Sequence, residues 1–198
     1  MQLRHPVRAT SLLGLAILWL PLSALADDCF QPSPNRALQG DDYYSVARSD
    51  DPTDETLEQL NQFIDDIEGD WEGPGFIIEC FGNSNSPDAR GTDAEIDAKI
   101  ASATQGAFRI DYEVKRLDDK TRKLENITLD VSASNQTFSV TGSSAIVSEK
   151  FRIRNANGSS RLMERIIDMS HLGNSLEVQV TLYVNGYLSA TQSWQLRR

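Results

Sequence analysis

The thiols and imidazoles of this chain are few. Across 198 residues there are two cysteines, Cys29 and Cys80, and two histidines, His5 and His171. Two thiols cannot build a cysteine-rich zinc site or an iron–sulfur cluster. A serine hydrolase would need a nucleophile beside His171, and no Gly-x-Ser-x-Gly elbow occurs. Paired carboxylates could act on sugars, with Glu72 and Glu79 or Asp111 and Glu113 as candidates. Asp111 and Glu113 alternate with apolar residues, so they read as a solvated face. Asp41-Asp42 and Asp50-Asp51 lack the spacing of an EF-hand loop. The expectation is therefore no catalytic residue, no metal site and no cofactor: a binding protein, not an enzyme.

Charge narrows the partners. The chain carries 29 acidic and 19 basic residues, a formal net charge of −10. That disfavours nucleic acid, whose phosphates need Lys and Arg, and an anionic membrane surface.

Residues 1–26 read as a secretory signal peptide. Arg4 and Arg8 form the positive end, Leu12 to Leu20 the apolar stretch, and Ala24-Leu25-Ala26 the cleavage signal. The apolar stretch is too short for an ordinary spanning helix, so no transmembrane anchor is expected after cleavage. The expected location is periplasmic or secreted. His171 is then the one histidine left. An oxidising compartment and an even cysteine count make a Cys29–Cys80 disulfide the default. Three Asn-x-Ser/Thr sequons, at Asn126, Asn135 and Asn157, read as chance matches in a bacterial-type exported chain.

The elements that must position these groups follow from periodicity. Residues 27–51 are acidic and aperiodic and read as an extended arm. Residues 52–68 read as a helix capped by Asp51, with Pro52 at its first position and Gly69 ending it. Leu57, Leu60, Ile64 and Ile67 give it one apolar stripe. From 69 to 198 the period is two. Phe108, Ile110, Tyr112 and Val114 alternate with Arg109, Asp111, Glu113 and Lys115, and Leu176 to Val184 do likewise. Ala94 to Ile100 alternates too, and weaker runs lie near 123–131, 136–141, 145–154 and 161–169. Asn185-Gly186 is the strongest hairpin signal. The spacing predicts an all-β domain of eight or nine antiparallel strands in up-and-down order, closed into a barrel to hide its edges and preceded by one amphipathic helix. An outer-membrane barrel is disfavoured because its lipid face would carry the charged set.

The first strand carries a family likeness. Gly69-Asp70-Trp71-Glu72-Gly73-Pro74-Gly75 resembles the Gly-x-Trp strand start of lipocalins and related calycin barrels. Its longer Gly-x-Trp-x-Gly-x-Gly form is similar to nitrobindin-type domains. The resemblance implies a lipocalin-like barrel whose closed end is plugged by Trp71. A basic residue from the last strand, Arg197 or Arg198, would stack over the indole, and Arg197 is assigned that place. The Thr-Asp-Tyr-like turn of lipocalins is absent. In nitrobindin-like barrels a histidine near the C-terminus ligates haem iron. His171 would be that ligand, but its place beside Gly173-Asn174, at a strand end or turn, favours a surface histidine.

The inward set is expected to hold Phe108, Ile110, Tyr112, Val114, Val178, Val180, Leu182 and Trp194. Gln192, in line with Leu188, Ala190, Trp194 and Leu196, is the one inward polar group. This set is read as the wall of a site for a small apolar ligand in a monomeric barrel. The alternatives are a packed barrel that contacts another envelope protein, and a haem-binding barrel through His171.

Overall fold

The computed structural model describes residues 28–46 and 51–198. The expected signal peptide lies outside the described residues. Two short helical turns come first, α1 at Pro34–Gln39 and a 3₁₀ turn at Gly40–Tyr44. The absence of periodicity predicts an extended arm, and the structure departs from it with these two turns. The helical signal is local: Ser33 Oγ accepts the Asn35 N–H at 3.2 Å and Pro34 occupies the first turn.

Helix α2 spans Asp54–Ile67. It starts two residues later than expected because Thr53, not Asp51, is the cap, its hydroxyl accepting the Thr56 N–H at 3.2 Å. Asp54 and Glu55 lie at the positive end of its dipole. Leu60, Phe63, Ile64 and Ile67 are buried. Phe63 joins the predicted stripe, and Leu57 is only partly covered.

Nine strands follow: β1 Gly69–Asn83, β2 Ser86–Thr104, β3 Ala107–Arg116, β4 Arg122–Asp130, β5 Gln136–Thr141, β6 Ser144–Arg154, β7 Ser160–Leu172, β8 Ser175–Val184 and β9 Tyr187–Arg197. Each ladder is antiparallel. The expected Asn185-Gly186 hairpin is present, with φ of 53° and 82°. The β1–β2 hairpin turns at Ser84-Asn85, where Asn83 Oδ1 accepts the N–H groups of Asn85 and Ser86. β1 also pairs with β9, so the sheet order is β4-β3-β2-β1-β9-β8-β7-β6-β5.

The all-β meander is as expected, but it curls into a half-barrel. Among the described residues β4 and β5 form no ladder. Helix α2 packs against β5, β2 and β6 and fills the opening. The buried Gln136 spans the seam: its Oε1 accepts the Asp130 N–H at 2.8 Å, and its Nε2 donates to the Thr128 carbonyl at 3.0 Å. A neighbouring parallel strand would make the same two bonds to those residues. One side chain thus stands in for a short ladder.

The core runs from α2 through the inner face of the sheet. Ile100, Phe108, Ile110, Leu129, Val147, Ile167, Met169 and Leu176 are 0–1% exposed. Residues 28–46 cross the outer face instead. Cys29 is bonded to Cys80, with Cα atoms 5.6 Å apart. Further on, Glu164 is wholly buried beneath the arm. It accepts hydrogen bonds from Tyr43 Oη and Asn35 Nδ2, both at 2.8 Å, and from Ser148 Oγ at 3.4 Å. Burial pushes the Tyr43 hydroxyl pKa up, and its bond to Glu164 adds to that. Lys150 donates to the Tyr43 carbonyl at 2.9 Å, and burial pulls its pKa down. The outward residues of β6 and β7 are polar where the arm is polar, so the arm is part of the fold.

Candidate functional site

Strand parity settles which side chains face inward. Trp71, Gly73, Gly75, Ile77 and Glu79 share the inner face of β1, because Trp71, Gly75 and Ile77 are buried while their neighbours are exposed. Trp71 lies where the first strand leaves helix α2. Its Nε1 donates to the Ile67 carbonyl at 2.7 Å, tying the strand start to the end of α2. The guanidinium over its ring belongs to Arg198, 4.4 Å from the centroid. The assignment to Arg197 is corrected by parity: Trp194 and Leu196 are buried, Arg197 is exposed, and the next residue turns back toward the indole. Arg198 also donates to the carbonyls of Asp66 and Glu68 at the helix end.

His171 lies at the end of β7, next to the Gly173-Asn174 turn. Its ring stands edge-on to Trp71, with centroids 6.0 Å apart. Its Nε2 is 2.5 Å from the Gly173 carbonyl. A carbonyl only accepts, so Nε2 donates in this contact and Nδ1 carries the ring's lone pair.

The glycines of the first strand are needed for close approach. A Cβ on Gly73 would lie 2.1 Å from the Gln195 carbonyl oxygen, and one on Gly75 would lie 2.7 Å from Ile96 Cγ1. The β1–β9 ladder has no paired residues at Gly73 and Pro74.

The nine predicted interior residues divide by height. Phe108, Ile110, Tyr112, Val114, Val178, Val180 and Trp194 are no more than 5% exposed. They are filled core, with the Tyr112 and Trp194 rings 4.7 Å apart. Leu182 and Gln192 are half-buried toward the other end of the half-barrel. Gln192 Oε1 accepts the Trp194 indole N–H at 3.3 Å. Leu188 does not continue this row. The β8–β9 register shifts after Leu182, and Leu188 pairs with Tyr183.

Gln192 has inward polar company that periodicity did not reveal. Tyr112 donates to Glu125 Oε2 at 2.5 Å across the β3–β4 ladder. Arg165 on β7 donates to Glu149 on β6 at 2.5 Å, and Gln136 Nε2 reaches the other Glu149 oxygen at 3.1 Å. Arg116 donates to Glu79 at 2.7 Å and to Thr92 at 3.1 Å. The Arg165 charge acts on both Tyr112 and Glu125, so the two wall segments face each other. Burial, then the bond to Glu125, pushes the Tyr112 pKa up, and the phenol stays protonated. Burial also pushes Glu125 up, but hydrogen bonds from Lys123 and Tyr112 outweigh it and hold the carboxyl below its ordinary value. The Nε atoms of Arg116 and Arg165 are buried without a hydrogen-bond partner. Glu149 and Arg165 sit in the runs where alternation is weakest, because a charged residue replaces the apolar one at the inward position. That break in alternation is the sequence signal of the inward charges.

The carboxylate pairs weighed for sugar chemistry do not assemble. Glu72 and Glu79 fall on opposite faces of β1. Asp111 pairs with Arg109 at 2.6 Å and Glu113 with Arg122 at 3.3 Å, on the outer face. They help to wall an outer groove of about 610 Å³ over β1–β4. Charges of both signs rim it, and exposed Leu124 adds apolar surface to its lining.

No family model matches the chain, and a search of curated proteins finds no match. Among solved structures the chain is similar to Rv2717c from M. tuberculosis, at 16% identity and a TM-score of 0.45. The match covers 70% of this chain and 96% of that one. It is also similar to the S-type phycobiliprotein lyase CPES from Guillardia theta, at 12% identity and a TM-score of 0.43, covering 74% of this chain and 98% of that one.

Proposed function

We propose that this chain is an exported half-barrel protein that binds a small, mainly apolar ligand in the upper part of its interior. The observation that carries this reading is a run of half-buried ladder partners, Phe151 with Met163, Arg165 with Leu182 and Leu182 with Ala190, beside the buried Nε of Arg165, which has no hydrogen bond. Mostly apolar walls with a few convergent polar groups are what a small-molecule site needs. Phe81 and Ile153, on the inward faces of β1 and β6, are 48% and 45% exposed at the strand ends, which supports an apolar mouth. The lower interior is filled, so the ligand is confined to the upper layer. The Cys29–Cys80 disulfide fits an oxidising compartment. The role is binding rather than catalysis, in a monomer.

Native mass spectrometry of the purified protein, paired with solvent extraction, tests the reading. The expected result is a co-purified apolar mass that Arg165→Leu or Leu182→Trp displaces. A ligand-free protein that also takes up no fluorescent apolar probe overturns it. The filled lower core favours one second reading, a packed barrel that contacts an envelope protein. Capture of one partner, lost on deletion of residues 28–46, would support it.

A further inference from the structure

A second concavity lies outside the half-barrel. The disulfide ties the start of the arm to the outer face of β1. Between them and strands β8 and β9 is a pocket of about 410 Å³. Its floor is a pair of ladder rungs: Gln179 is paired with Ser193, and Thr181 with Thr191. Sheet geometry sets these groups about 4.8 Å apart across the strands and about 6.8 Å apart along them. Tyr183 lines the same pocket, with Ile78, Leu188 and the disulfide adding apolar wall.

The chemistry of this lining is unusual for the chain. A quarter of the sequence is charged, 24%, yet Asp28 is the one acid in the lining and Lys, Arg and His are missing from it. The side chains of Gln179, Thr181, Tyr183, Thr191 and Ser193 make no hydrogen bond to one another or to any described residue, so their donors and acceptors are unspent. An ion would find little counter-charge here. A purely apolar ligand would desolvate four hydroxyls and an amide without return. A neutral ligand with closely spaced hydroxyls satisfies them, and its apolar face meets Tyr183, Ile78 and Leu188. Burial raises the Tyr183 pKa, so at neutral pH the phenol keeps its proton and can donate.

We propose that this outer pocket binds a neutral carbohydrate, with the β8–β9 rungs as its polar floor and the disulfide-held arm as its wall. The site is separate from the interior one, and its test does not depend on what the interior holds. The intact, oxidised protein is labelled with ¹⁵N and titrated with chitobiose and with cellobiose. Glucuronic acid and glucosamine serve as charged controls. The expected result is saturable shifts at the amides of Thr181, Thr191 and Ser193, with affinity in the millimolar range usual for weak, shallow sites, roughly −4 kcal/mol. Response to chitobiose alone would assign the acetamide to the site, and response to both sugars would assign the hydroxyls. The double substitution Thr181→Val and Thr191→Val keeps size and strand propensity. It should leave the rest of the spectrum in place and weaken binding at least about tenfold. Cys29→Ser should also weaken it; if that variant misfolds, the valine pair decides. Neither sugar shifting these amides up to about 50 mM, charged controls binding equally well, or wild-type binding by the valine pair would each overturn the proposal.

Discussion

Arg198 shows how much one side chain can hold together. It covers the Trp71 indole and bonds two carbonyls at the end of α2. Arg198→Ala should lower the Tm by about 3 °C, whereas Arg197→Ala should leave it unchanged. Thermal melts of the two variants side by side check this. The tryptophan and a basic partner were legible in the sequence; the choice between adjacent arginines was not, because only the strand's phase decides it. Glu125 gives a pH prediction. Its carboxyl lies below the ordinary 4.5 in the folded chain, so the folded state binds fewer protons than the unfolded one. The stability it contributes is present above pH 4.5 and is lost as pH falls through the lowered folded value. Urea midpoints measured from pH 6 to pH 3 should fall less steeply for Glu125→Gln than for the wild type.

At the level of elements, the strands and α2 were readable because alternation and the helical stripe are strong where the core is apolar. The inward ion pairs were not, since a charged residue at an inward position looks like a break in the pattern. The arm's helical turns are hidden from periodicity for another reason. Its short helical turn rests on one cap and one proline, and its place on the sheet depends on Tyr43 reaching Glu164, residues far apart in sequence. The glycines of β1 separate two kinds of crowding. Gly73→Ala drives a methyl group into a backbone carbonyl, which cannot retreat without moving β9. Gly75→Ala meets a side chain, Ile96, that can change rotamer. The first should cost about 3 kcal/mol and the second about 1 kcal/mol by chemical denaturation; equal costs would mean that β9 shifts freely at this point.

Taken whole, the molecule is a sheet wrapped by its own N-terminal segment. The disulfide closes a separation of 51 residues, and loop-closure entropy assigns it about 4 kcal/mol. Reduction should therefore lower stability by about that amount. Hydrogen exchange should show amides in residues 28–33, including those of Phe30 and Ser33 that bond to the β8–β9 corner, losing protection before those of β2 and β3. The sheet order carries a consequence of another kind. The first and last strands are neighbours at its centre, so the middle of the sheet is the last part a chain emerging from its N-terminus can complete. Until β9 arrives, β1 has one bare edge and the two halves of the meander are separate hairpin stacks. Refolding should accordingly show a late, slow step at the β1–β9 seam. Joining the end of β9 to the start of the arm at residue 28 and opening the chain in the 131–135 loop would bring β9 and β1 closer in sequence and should speed this step, with the arm and α2 kept in place.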